Sequence, residues 1–256
     1  MIFYLSCTGN TRWATTEIQK AINEPLINIA EAISGPCRFA VQENERIGFC
    51  FPVHGWRTPR LLRDFISKLS FEKDTKQHFC WALCTAGDDI GLTMDYLNKQ
   101  LAAISLKATS MFSLIMPESY VGLPFMDVDT PEKEHTKKKT AERHLYDILD
   151  YIVSRQPNMV DLYKGKWPWI NSKVLGAAFE KFLITDKPFH VTDVCIACGK
   201  CAETCPVANI DGGKGKKPVW KHNGRCLTCF SCYHHCPVHA IEFGKQTKNK
   251  GQYLYY

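Results

Sequence analysis

The 256-residue sequence predicts an α/β fold: a doubly wound parallel sheet of five strands, followed by a small α+β domain. Three observations carry that prediction. Apolar runs alternate with amphipathic stretches through the first 155 residues. A motif of four cysteines and a proline occurs twice, at 195–206 and at 226–237. Residues 156–186, between the two regions, carry aromatic side chains and no low-complexity sequence. The expected divisions are 1–155 for the sheet domain, 156–186 for a packed connector, and 187–256 for the cysteine-rich domain with a C-terminal tail.

The elements follow in order. Ile2–Leu5 is a short apolar run that ends in a Thr/Gly/Asn turn. A helix follows, with Ala14, Ile18, Ala21 and Ile22 on one face. A weak strand is expected around Leu26–Ile29 or Phe39–Val41. Arg46–Phe51 is a strong strand. After it, Thr58 reads as an N-cap with Pro59 at the first helical position. That helix shows Leu61, Leu62, Phe65, Ile66 and Leu69 as its apolar stripe. His78–Cys84 is the next strand, and its helix carries Met94, Leu97, Leu101 and Ile104. Ala108–Met116 is the last strand. The closing helix places Leu145, Ile148, Leu149, Ile152 and Val153 together. In the connector, Trp167, Trp169 and Phe179 argue for packing, and Ser172–Leu183 for a short helix.

Strands alternating with helices mean a parallel sheet covered on both faces. In such sheets, ligands sit outside the carboxyl ends of the strands. The loops to inspect are therefore 6–12, 52–59, 85–91 and 117–130.

The chain holds 13 cysteines, eight of them between 195 and 236. That clustering, without a secretory leader, reads as metal binding. No stretch approaches the length of a bilayer span, so the expectation is a cytoplasmic protein with no membrane span. Charge is uneven. Residues 1–150 hold 17 Lys and Arg against 19 Asp and Glu; residues 151–256 hold 15 against 7. A basic half can signal nucleic acid. Thiolates on two oxidised clusters, each site at roughly −2, offset about half of the excess, so no nucleic-acid binding is expected.

Both motif copies read C-x2-C-x2-C-x3-C-P. Iron–sulfur clusters need soft thiolates converging on one centre. The x2 spacing turns three thiols toward one cube, and the cysteine before proline is directed elsewhere. Zinc competes, because C-x2-C pairs suit a tetrahedral ion, but the doubled spacing favours two [4Fe–4S] clusters. Residues 187–245 resemble bacterial-type two-cluster ferredoxins. That resemblance implies a crossed pairing: Cys195, Cys198, Cys201 and Cys236 on one cluster, and Cys226, Cys229, Cys232 and Cys205 on the other. The flanks repeat as well, Cys205-Pro-Val-Ala-Asn-Ile210 against Cys236-Pro-Val-His-Ala-Ile241, an internal duplication. His234 and His235 are expected to tune the second cluster through N–H···S contacts.

Ser6-Cys7-Thr8-Gly9-Asn10-Thr11 follows the first strand and opens the first helix, a sequence suited to an anion seat. It resembles the flavodoxin phosphate loop, which implies that Ser6, Thr8, Gly9, Asn10 and Thr11, with the Cys7 N–H, bind the phosphate of FMN. The same resemblance places the flavin ring between Val53-His54-Gly55-Trp56 and the loop with Ala86, Gly87 and Asp88. Trp56 and Tyr120 are then the stacking candidates. His54 reads more simply as a satisfied loop histidine. Cys37, Cys50, Cys80 and Cys84 read as core thiols, and Lys137–Lys139 as a solvated helix start.

The whole chain resembles flavodoxin–ferredoxin fusion proteins of anaerobes, the EFR-type ferredoxin family. This implies FMN and two [4Fe–4S] clusters in an electron carrier serving redox partner proteins with acidic surfaces; the sequence sets no oligomeric state. One rival is an FMN-dependent reductase of a small molecule, fed by the clusters. No dinucleotide fingerprint is present. Another reading makes the first domain a flavin-free docking module.

Overall fold

The computed structural model describes residues 1–255. Its main sheet has six parallel strands, not five: β1 (Ile2–Tyr4), β2 (Leu26–Asn28), β3 (Ile47–Pro52), β4 (Cys80–Ala86), β5 (Ser110–Ile115) and β6 (Val160–Asp161). The strand order is β2-β1-β3-β4-β5-β6. Register runs through Ile2↔Gly48, Phe49↔Ala82, Leu83↔Phe112 and Met111↔Val160. The sixth strand has two exposed residues at the sheet edge, too short and too polar to show a two-residue period. Arg38–Phe39 does not join the main sheet; it pairs with Ser70–Phe71 instead.

Two cores cover the two faces. On one, Leu61, Phe65 and Ile66 of α2 (Arg60–Lys68) and Met94, Leu97 and Leu101 of α3 (Thr93–Ala102) meet Phe3, Phe49 and Phe51. On the other, Ala14 and Ile18 of α1 (Asn10–Ile22) and Leu145, Ile148 and Ile152 of α4 (Pro131–Val153) meet Trp81, Leu83 and Phe112. Gly48 is needed here: a Cβ on it would lie 2.6 Å from Trp81 Cε2. Val153, expected on the α4 apolar face, is exposed. Pro59 rather than Thr58 is the cap of α2, because the Thr58 hydroxyl bonds Gln100 of α3 instead.

A continuous helical segment at residues 168–183, partly wound in wide i→i+5 turns, crosses the carboxyl ends of the strands. Phe179 and Glu180 fix it. Trp167 and Trp169, expected to pack, are exposed.

The remainder is a small α+β unit. Phe189–Val191 pairs antiparallel with Ile241–Phe243, and Ile210–Gly213 with Lys216–Trp220. Its core joins Phe189, Trp220, Phe230, Tyr233 and Phe243 to Val121 of the first domain. Among the described residues, no helix is long and apolar enough to cross a membrane.

Candidate redox site

The duplicated motif folds twice in the same way. Each copy needs left-handed backbone at matching positions: Ala197 and Thr228, Gly199 and Phe230, Ala208 and His239. These turns aim backbone N–H groups at sulfur in matching pairs. Ala197 N–H donates to Cys195 Sγ (3.4 Å) and Thr228 N–H to Cys226 Sγ (3.3 Å). Asn209 N–H donates to Cys205 Sγ (3.2 Å) and Ala240 N–H to Cys236 Sγ (3.1 Å). Such donors stabilise thiolate charge.

Two cavities result, each with about 310 Å³ of space free of atoms, part of it open to solvent. Cys195, Cys198, Cys201 and Cys236 line the first. Cys205, Cys226, Cys229 and Cys232 line the second. In each, three thiols come from one copy and the fourth from the other.

The donor set can be tested against the candidate metals. Among the described residues, no three His, Cys, Asp or Glu side chains converge tightly enough for a single ion. A zinc ion requires all four sulfurs at about 2.3 Å from one point. Thiols spread around a gap fit a cube better, because each binds its own iron. Burial, with the facing thiols behind it, pushes Cys201 up to about 11 and Cys226 up to about 12. Thiols so placed ionise readily only against positive charge in the gap.

The sites differ in surroundings. The first has Ile196 and Val238 on its rim, and Cys198 is exposed. The second is walled by Phe189, Val207, Trp220, Leu227 and Phe230. Buried Asp186 steadies it, accepting from Asn209 Nδ2 (2.7 Å), from the His222 N–H (3.1 Å) and from His222 Nδ1 (3.0 Å). Burial alone would push the Asp186 carboxyl up; the Asn209 and His222 contacts hold it below its ordinary range.

The second site is also the junction with the first domain. The Ser231 hydroxyl lies 3.0 Å from Cys7 O and 3.1 Å from Thr204 O. The Cys7 thiol lies against Cys229 and, together with burial, pushes that thiol well up. Phe230 is 1% exposed and packs edge-on to Tyr120, whose ring meets Phe179 in turn. Burial pushes the His234 imidazole down to about 4, so it is neutral near pH 7. Its Nε2–H donates to Ser119 O (2.7 Å), and its Nδ1 accepts from the Tyr253 N–H (3.1 Å). His235 Nδ1 bonds Ser231 O (2.8 Å). Both histidines therefore spend ring nitrogens on main-chain groups, not on the expected sulfurs: the backbone N–H groups already supply the sulfurs.

The C-terminal tail lies across the loop at residues 6–11. Tyr255 N–H donates to Thr8 O (2.8 Å), and a Cβ on Gly9 would lie 2.7 Å from Tyr255 O. Asn10 Oδ1 accepts from the Tyr253 hydroxyl (2.5 Å), while its Nδ2 donates to Pro117 O (3.0 Å). Thr11 Oγ1 bonds Thr85 Oγ1 (2.8 Å), and Ser6 Oγ accepts from the Arg12 N–H (3.2 Å). Tyr255 stacks on Trp13, and Lys138 Nζ lies 4.7 Å from the Tyr255 ring. Lys137 pairs with Asp129 (2.7 Å) and donates to Gly87 O (2.7 Å). Two of the three lysines expected to be solvated are thus engaged. Asn10 and Thr11 thus spend their side chains on protein groups, while among the described residues no main-chain N–H of residues 7–11 has a protein partner, the donor type an anion seat needs.

The ring-binding residues are likewise occupied. Val53 N–H donates to Thr85 O, extending the sheet ladder, and Ala86 O accepts from Met116 N–H. His54 and Arg57 close a tight turn with Gly55 and Trp56 both left-handed. Gly55 packs under the Phe179 ring, Trp56 meets Gly91, and Gly87 is covered by the Glu118 carboxylate. Asp88 is exposed. Trp56 and Tyr120 face different neighbours rather than one shared gap. Cys50, Cys80 and Cys84 are buried core thiols whose ionisation burial pushes up, for Cys50 to about 12.

The sequence reading missed Cys7 as a junction group, Phe230 and Asp186. The tail, residues 247–256, basic and then aromatic, reads from the sequence as a segment that lies back on the first domain, and Tyr253 and Tyr255 do reach it.

Residues 187–237 match the family model of the 4Fe-4S dicluster domain. No curated protein matches the chain. A crystal structure from Bacteroides uniformis ATCC 8492, called a "putative flavoprotein", aligns over 44% of this chain and 88% of its own. It shares 17% identity at a TM-score of 0.32, too little to assign fold or function. The C-terminal unit is thus similar to 4Fe-4S dicluster domains over residues 187–237, and the α/β sheet precedes it.

Proposed function

We propose that the chain is a low-potential electron-transfer protein with two [4Fe–4S] clusters, held by the crossed cysteine sets. One observation carries this reading: each four-thiol set lines its own cavity, with N–H donors aimed at its sulfurs. When bound, each cluster supplies a one-electron couple. The chain holds the thiolates, screens the second site from water with Phe189, Trp220 and Phe230, and offsets negative charge with its basic C-terminal half. That charge favours acidic redox partners, and the cytoplasm of an anaerobe suits such clusters.

FMN at the first domain is supported by the Ser6–Thr11 pattern and its position after β1. The observed contacts of Tyr253 and Tyr255 favour the flavin-free docking module for the closed conformation. Flavin counted per chain after anaerobic purification with FMN supplied separates the two. A chain truncated before Gln252 that gains flavin makes the tail a cover. Stoichiometric flavin on the full chain removes the docking reading. The small-molecule reductase needs an open gap over a ring, and Phe179 and Glu118 fill that region. Turnover of a quinone or nitro compound by holoprotein would restore it. The experiment for the cluster assignment is iron and labile sulfide per chain, with the spectrum of the reduced protein.

A further inference from the structure

The helical segment at 168–183 has two faces. Its inner face is fixed to the sheet domain. Ser172 Oγ accepts from the Leu92 N–H (2.8 Å), and Gly176 lies against the Gly55 carbonyl. Glu180 pairs with Arg57 (2.9 Å) and with Arg63. Steps of four residues connect Ser172, Gly176 and Glu180, as the wide turns require. The outer face, also in steps of four, runs Ile170, Val174, Ala178 and Phe182, with Trp169 and Leu175 beside it. These are exposed, Trp169 at 61% and Phe182 at 67%. Trp167, at 57%, extends the strip.

A strip of this size on a water-facing surface marks a contact. Its charge indicates what covers it. Lys166, Lys173 and Lys181 flank it, and all three are exposed. Lys166 lies over the Trp167 ring (5.4 Å) and Lys181 over the Phe182 ring (5.1 Å). The sole acid between residues 162 and 185 is Glu180, and it faces inward. At the near end, Asp95 is taken by Lys164 (3.1 Å) and Asp89 by Asn171 (3.4 Å). Two copies face to face would bring six lysines into one apolar seam, which is unfavourable.

We propose that this face lies on an anionic lipid bilayer. The tryptophans and Phe182 enter the headgroup region, and the lysines meet lipid phosphates. The attachment is peripheral, and it stands independently of the cluster assignment.

Flotation of holoprotein with vesicles tests it. Vesicles of phosphatidylcholine with about one third phosphatidylglycerol should carry the protein up, and pure phosphatidylcholine should carry about tenfold less. The doubly substituted Trp169→Ala, Phe182→Ala protein should lose binding about tenfold while keeping its iron, which shows that the fold is intact. High salt should weaken binding. Three results would each overturn the proposal: no flotation of the parent protein, equal flotation of the variant, or lipid-free dimers that the same two substitutions dissolve.

Discussion

The two cysteine motifs have identical spacing and nearly identical backbone, yet they sit in different worlds. The first opens to the surface through Cys198, with Gly199 in its left-handed turn. The second abuts the first domain, with buried Phe230 in the equivalent turn. A left-handed phenylalanine costs about 1–2 kcal/mol. Its buried ring, touching Phe189, Phe243 and Tyr120, offsets that. Spacing makes the site, and the residues between the cysteines decide what it is joined to.

The largest effects should come from the ligands. Cys226→Ala and Cys205→Ala, from different copies, should abolish the same site and remove about half the iron. Cys195→Ala and Cys236→Ala should abolish the other. If Cys205→Ala instead behaves like Cys195→Ala in the reduced spectrum, the crossed pairing is wrong.

Next in size is the residue at the second left-handed position of each copy. Phe230→Ala should destabilise by about 3–5 kcal/mol, measured as a lower thermal midpoint of the holoprotein. Gly199→Ala should cost about 1–2 kcal/mol from its left-handed φ of 81°, and more from a Cβ that would lie 2.9 Å from the Gly213 main chain. A Phe230→Ala loss below about 1 kcal/mol would mean that the ring does not bind the second site to the first domain.

Acid should act on the domain to which only the second site is joined. Burial, then the Arg63 charge, pushes His54 down to about 4. The unfolded chain takes up this proton near pH 6.5, before the folded one does. Stability is therefore full above about pH 6.5 and falls as pH drops toward 4. Melting curves should show that slope; His234, also pushed down to about 4 by burial, adds to it, so His54→Asn should reduce the slope by about half and leave the rest.

The smallest effect concerns one hydroxyl. Ser231→Ala removes the bond toward Cys7 O and should cost about 1 kcal/mol. Its counterpart Lys200 is exposed, and Lys200→Ala should leave the melting midpoint unchanged.

Much of this was legible in the sequence because it is local. The long strands, the apolar stripes of the helices and the closely spaced cysteine triplets follow from short-range period and spacing, whereas the crossed fourth cysteine of each set came from the resemblance to two-cluster ferredoxins. Contacts distant in sequence were not legible. Tyr255 reaches Thr8, Tyr253 reaches Asn10, and Ser231 reaches Cys7; no periodicity encodes such pairs. The Ser6–Thr11 pattern was visible, but the tail that covers it was only a suggestion of composition. Trp167 and Trp169 misled because aromatic content signals a contact without saying with what. His234 misled because proximity to cysteines in sequence does not direct its ring to sulfur.

The most direct measurement is metal and sulfide per chain in anaerobically prepared holoprotein, with electron paramagnetic resonance after full reduction. The account predicts about eight iron and eight labile sulfide per chain, and a spectrum broadened by coupling between two nearby cubes. Zinc without labile sulfide, or about four iron with a single uncoupled signal, would contradict it.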